Sequence, residues 1–238
     1  MPERRERIQR AVEALDGVDA LLVTDLLNVR YLTGYTGSNG IAVLSPQRAV
    51  LTTDFRYQEA VEALRVIVDV AILERDIAAL TVEGLGEFAP AATRVGFESS
   101  LPYGQVERLR GLAPTGVELV PVDGLVERLR LVKSETEVAA TRHASDILEQ
   151  CYRDLARGRL VGRTEADVAW QIERTIREAG FPALSFDPIV AAGPSGALPH
   201  AEPGERVIER GALVVVDIGA RSEEHTSELQ SRETISYA

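Results

Sequence analysis

Few residues of this chain combine a reactive side chain with a position that could use it. Asp217 closes the apolar run Leu213-Val214-Val215-Val216 and precedes Ile218-Gly219. A carboxylate at the end of a buried strand is costly unless it is paired, hydrogen-bonded or bound to a cation. Two readings stand, a turn cap ahead of Gly219 or a cation ligand, and one Asp alone is not a metal site. His200 follows Pro199 in the loop GPSGALPHAEPG between two strand-like runs. Imidazole changes charge near neutral pH, and loops on a rigid scaffold carry sites disproportionately.

The other candidates are weaker. His143 falls within a helical stretch and reads as a half-exposed structural histidine. His225, beside Glu223 and Glu224, imitates a metal cluster but is assigned no function. Gly34-x-x-Gly37-x-x-Gly40 lacks the G-x-G opening, the Walker lysine and a following helix, so it reads as a turn-rich loop. Cys151 sits mid-helix, and no Ser or Cys has a recognisable base partner, which leaves nucleophilic catalysis unsupported. A single Cys also excludes an intrachain disulfide framework and a multi-Cys zinc site. The net charge of −11 argues against nucleic acid and anionic membrane as partners. No apolar run approaches the ~18 residues of a membrane span. The N-terminus, MPERRERIQRAVEALDG, lacks the apolar core of a signal peptide. A cytoplasmic protein is expected.

The elements that must position these residues fall into two groups. Ile8, Val12 and Leu15 mark one face of a first helix, stopped at Asp16-Gly17. Ala20 to Thr24 reads as a buried strand, and Ile41–Leu44 with Ala49–Thr52 as a hairpin across Ser45-Pro46. A helix from Asp54, a strand over 66–72, a helix over 77–88 and a strand ending at Glu98 follow. A helix opened by Pro102 and a strand over 117–122 complete an α/β domain over residues 1–122, with 123–133 as a linker. From Ser134 to about Leu155 the chain is helical. A second helix begins at the capping box of Thr164 and Asp167 and runs to about Ala179. Phe186–Ala191 and Leu213–Ile218 read as strands, so residues 134–220 form an incomplete α+β domain. With so little chain beyond Gly219, its helices are expected to expose an uncovered apolar face.

Residues 221–238, RSEEHTSELQSRETISYA, change character abruptly. They resemble a codon-by-codon translation of a high-throughput sequencing adapter with the primer stretch behind it. They are therefore expected to be an artefactual tail and are excluded from the fold reasoning.

At His200 and Asp217 together the sequence resembles a known family. Phe186 to Ala220 resembles the entry to the active site of Xaa-Pro aminopeptidases and prolidases. Lys133-Ser134-Glu135-Thr136-Glu137 resembles the K-S-x-x-E that opens their catalytic domain. Asn28-Val29-Arg30-Tyr31-Leu32-Thr33-Gly34-Tyr35 and Thr53-Asp54-Phe55-Arg56-Tyr57 resemble their creatinase-type N-terminal domain. The resemblance implies an α/β creatinase-like domain followed by part of a pita-bread metallopeptidase domain. It implies two divalent ions, manganese or cobalt, bridged by a hydroxide that attacks the amide before proline. Asp217 would be the first metal ligand, and His200 would bind substrate and relay protons. The implied partners are a proline-containing peptide and a second copy of the chain in a homodimer.

One departure decides the expectation for this chain. The family pattern requires a second Asp about eleven residues after the first, in a D-x-T-R setting, then a His and two Glu. Position 228 is Glu, with no Thr-Arg after it, and the later ligands are absent. One ligand of five is present, so the chain is expected to hold no metal pair and to be inactive. It then reads as a truncated portion of a cytosolic Xaa-Pro aminopeptidase. Two other readings stand beside it: a creatinase-like amidinohydrolase working without metal, and a short non-catalytic protein that dimerises or binds.

Overall fold

The computed structural model describes residues 2–181, 183–221 and 228–236, and divides into two compact units, 1–132 and 133–238. The first unit is built on a six-stranded sheet. Its strands are β1 (Ala20–Val23), β2 (Gly40–Leu44), β3 (Ala49–Asp54), β4 (Asp69–Leu73), β5 (Arg94–Glu98) and β6 (Glu118–Val122). They lie in the order β4-β3-β2-β1-β5-β6. The β1–β2–β3 meander is antiparallel, and the outer pairings β3–β4, β1–β5 and β5–β6 are parallel.

Parallel strands need crossovers, and the crossovers cover both sheet faces with helices. Alternation along β1 sorts the two cores. Leu21 and Val23 face α1 (Pro2–Glu13), α2 (Leu26–Thr33), α3 (Gln58–Glu62) and α7 (Leu125–Leu131). Ala20 and Leu22 face α4 (Ile77–Glu83), α5 (Leu85–Phe88) and α6 (Tyr103–Leu112). All four β1 residues are buried, as the unbroken apolar run ALLV requires.

Three differences from the sequence expectations have local causes. Residues 66–68 are not strand, because the amides of Ile67 and Val68 close a turn on the Leu64 carbonyl at 2.8 and 3.1 Å. Residues 77–88 form two helices that meet at Gly84. The stretch 123–133, expected as a linker, contains α7, whose Leu125 and Val126 are 5% and 1% exposed in the core.

The second unit opens with α8 (Glu135–Arg157), capped by the reciprocal box of Ser134 and Glu137. Next comes α9 (Glu165–Glu178), capped by Thr164 and Asp167. These helices pack on β7 (Ala183–Leu184), β8 (Ile189–Ala192) and β9 (Leu213–Arg221). The expectation of an uncovered apolar face is corrected here. Val190, Ala192, Val214, Val216, Ile218 and Ala220 bury the stripe that includes Leu148, Leu155, Ile172 and Ile176.

The tail expected to lie outside the fold contributes β10 (Glu228–Ser236), antiparallel to β9 along its whole length. The hydrogen-bonding edge of a long strand accepts any extended segment through backbone groups, with little demand on its side chains. Among the described residues, no helix is long and apolar enough to cross a membrane.

Cys151 reports on the second core. It is 3% exposed, and burial pushes its thiol up to about 11. We predict that a disulfide exchange reagent at pH 8 labels no thiol in the native chain and one after denaturation. Rapid labelling under native conditions would contradict the packing of α8.

Candidate functional site

Asp217 lies inside β9 and is 4% exposed. Its neighbours in sequence, Val216 and Ile218, join the helix-covered core. Strand alternation therefore turns Asp217, with Val215 and Leu213, to the opposite face. Leu213 is exposed on that face, in keeping with its lack of a helical cover. The buried carboxylate thus lies on the sheet face away from the helix-covered core.

His200 reaches the same sheet by a loop. Ile189 of β8 stands opposite Asp217, and β8 ends at Ala192, opposite Val214. From there the chain makes the 3-10 turn Gly193–Ala197 and presents Leu198, Pro199 and His200 at the surface. The loop leaves the sheet about 10 Å along β9 from Asp217, at ~3.3 Å per residue. The structure therefore ties both candidates to one strand pair.

The donor set of the described residues does not fit two metal ions. Among the described residues, no group of three or more His, Cys, Asp or Glu is arranged to hold one. Glu228, at the position where the family pattern has a second Asp, is in register with Arg221. That places it four residues, or about 13 Å, along the strand from Asp217, too far for a shared ion. The residue in register with Asp217 is Arg232, which supplies no carboxylate. His143 is exposed and stacks on Phe181, with ring centroids 5.7 Å apart. His225 lies outside the described residues.

Sequence reasoning missed Glu165. It is 2% exposed at the start of α9, and its carboxylate accepts the amides of Ala192 at 2.7 Å and Gly204 at 3.3 Å. Those residues flank the His200 loop. An acidic residue just inside a Thr cap was the available signal, but local pattern reads it only as first-turn charge.

The motif residues of the first unit form two polar clusters. Asn28, fully buried, donates to Glu98 at 2.7 Å and Glu127 at 2.6 Å and accepts from Arg130 at 2.9 Å. Glu98 also accepts the amides of Thr24 and Asp25, both at 2.7 Å. In the second cluster Arg56 grips Asp54 through two 2.8 Å contacts, and Asn39 donates to the same carboxylate at 2.7 Å. The guanidinium holds Asp54 well below the usual carboxylate range. Tyr35 and Tyr57 meet edge to face at 5.6 Å. Burial raises the Tyr35 phenol, whereas hydrogen bonds to Ser38 lower that of Tyr57. Gly37 and Gly40 are pressed against the Tyr35 ring, where a Cβ would approach within 2.1 and 2.5 Å. The glycine spacing therefore serves aromatic packing, consistent with a loop that cradles no phosphate.

Comparison with known proteins agrees with this architecture. Residues 4–132 match the Creatinase/Prolidase N-terminal domain, and residues 139–230 match Metallopeptidase family M24. The chain is 37% identical over 219 residues to the Bacillus subtilis peptidase YqhT, covering 90% of this chain and 60% of that protein. It is 29% identical to the Xaa-Pro dipeptidase of Pyrococcus horikoshii, covering 94% and 62%. Among solved structures, the Xaa-Pro dipeptidase from Bacillus anthracis superposes with a TM-score of 0.84 at 31% identity, over 97% of this chain and 64% of that one. The chain thus spans about 60% of the length of the relatives it matches. The chain belongs to the proteins that carry the Creatinase/Prolidase N-terminal domain, which fills more than half of it, and a segment matching Metallopeptidase family M24 follows.

Proposed function

We propose that this chain carries the entry half of an Xaa-Pro peptidase site and does not complete it. Asp217 is the first of the metal ligands, and His200 is the group that meets the substrate beside the scissile bond. The observation that carries this reading is the buried Asp217 on the sheet face away from α8 and α9, with the His200 loop leaving the paired strand β8. Relatives named Xaa-Pro dipeptidase or X-Pro aminopeptidase support a peptide with proline after its first residue as the substrate class. Divalent manganese or cobalt suits an oxygen-rich donor set with one imidazole. The residues described here do not supply that set, so no catalytic step is assigned to the chain alone. The complete enzyme is proposed to work in the cytoplasm as a homodimer.

The test is to amplify the source locus across the codon of Ala220 and read it with a different adapter chemistry. The reading predicts a frame that continues into an Asp-x-Thr-Arg segment and later supplies a His and two Glu. Recovery of the same tail and a stop would overturn it and leave a short binding or assembly protein.

A further inference from the structure

The segment between Ala192 and Gly204 has no strand partner of its own, and its tip is exposed, so something other than sheet pairing must fix where His200 points. Both of its ends converge on Glu165. The Oε1 atom accepts the Ala192 amide where β8 finishes, and Oε2 accepts the Gly204 amide where the loop closes. Two backbone bonds from the same helical turn reinforce the closing end. The Glu165 amide donates to the Arg206 carbonyl at 3.0 Å, and the Ala166 amide to the Gly204 carbonyl at 3.0 Å. The returning segment also reaches across the loop, since Arg206 Nε donates to Ser195 Oγ at 2.9 Å. A carboxylate is suited to this place, because the N-terminal end of α9 favours negative charge and so offsets part of the burial.

We propose that Glu165 is a positioning residue, whose buried carboxylate clamps both ends of the 193–203 loop so that His200 is presented at one place beside the Asp217 strand. The assignment rests on the reading of His200 as the substrate-facing group. A carboxylate offers two acceptor oxygens, whereas an amide offers one acceptor and one donor. Glu165→Gln therefore fills the same volume yet sets an N–H against one of the two backbone donors. It releases one end of the loop while leaving the core packing intact.

The experiment compares the full chain with its E165Q variant by hydrogen exchange and by the NMR signals of the histidine rings. The clamp predicts that amides from Ala192 to Gly204 exchange about tenfold faster or more, the ratio expected for one lost buried hydrogen bond. The His200 ring signals shift or broaden, while those of His143, stacked on Phe181, and the exchange of α8 do not change. Glu202→Gln, a like change at an exposed position of the same loop, leaves both readouts unaltered. Unchanged loop exchange and His200 signals in E165Q would overturn the proposal. So would a uniform loosening or failure to fold of the second unit, which would make Glu165 a support of the whole fold. Neither readout depends on what His200 does, so loss of the peptidase reading alone, seen in the source locus, would leave this result standing.

Discussion

A fragment ending at Val122 is expected to be less stable than one ending at Val132 by about 4–9 kcal/mol, an upper estimate. The difference is α7. Leu125 and Val126 are almost fully buried, and each such side chain contributes roughly 1.5–3 kcal/mol. Removing α7 also strips Asn28 of Glu127 and Arg130, leaving part of a buried amide unpaired at a cost of about 1–3 kcal/mol. Domains of this size are stable by only about 5–15 kcal/mol, so the shorter fragment should sit near the threshold of folding. Urea unfolding of the two fragments, followed by circular dichroism, gives the comparison. Coincident midpoints would show that α7 is an appendage and not part of the core.

The second large effect belongs to Glu98. Its carboxylate is 5% exposed and accepts from Thr24, Asp25 and Asn28 together. Glu98→Ala would strand four donor groups of three residues around a new cavity, and we expect a loss of about 3–5 kcal/mol. Glu118 is the control. It is exposed, with a 3.3 Å contact to Arg94, and its replacement by Ala should shift stability by no more than about 0.5 kcal/mol. Equal losses at the two positions would show that the Glu98 network contributes nothing beyond its surface equivalent. The network also explains why the Asn28 motif reaches α7: one buried amide couples a loop after β1, the end of β5 and the last helix of the unit.

The strands of the first unit were legible where burial is symmetric. ALLV is apolar on both faces, and RVGFE buries Val95, Gly96 and Phe97 between an exposed Arg94 and the buried Glu98; the structure places β1 and β5 there. Elements whose pattern is mixed were not legible. α7, LVERLRL, alternates charge with apolar residues over less than two full turns, and only its tertiary partners Asn28 and the α1–α2 face reveal it. Residues 66–68 show the converse failure. Their apolar, β-branched run favours a strand, but the Leu64 carbonyl captures their amides into a turn.

At the candidate site, residue type and local punctuation made His200 and Asp217 candidates, because His200 follows Pro199 in a Gly- and Pro-rich loop and Asp217 closes an apolar run two residues before Gly219. Glu165 was hidden because its partners, Ala192 and Gly204, are distant in sequence and contribute only backbone amides. The strand β10 was hidden for a similar reason, since its pairing with β9 is a backbone relation that composition does not record.

On the proposed reading, Asp217 is the one metal ligand among the described residues, and a single carboxylate holds no metal pair. Titrating the purified 238-residue chain with manganese by calorimetry tests it most directly, with an Xaa-Pro dipeptide added at saturation to read turnover. No saturable binding at micromolar manganese and no hydrolysis are expected, with Asp217→Asn indistinguishable from the parent chain. Two ions bound at micromolar affinity, with binding and turnover lost together in Asp217→Asn, would contradict it.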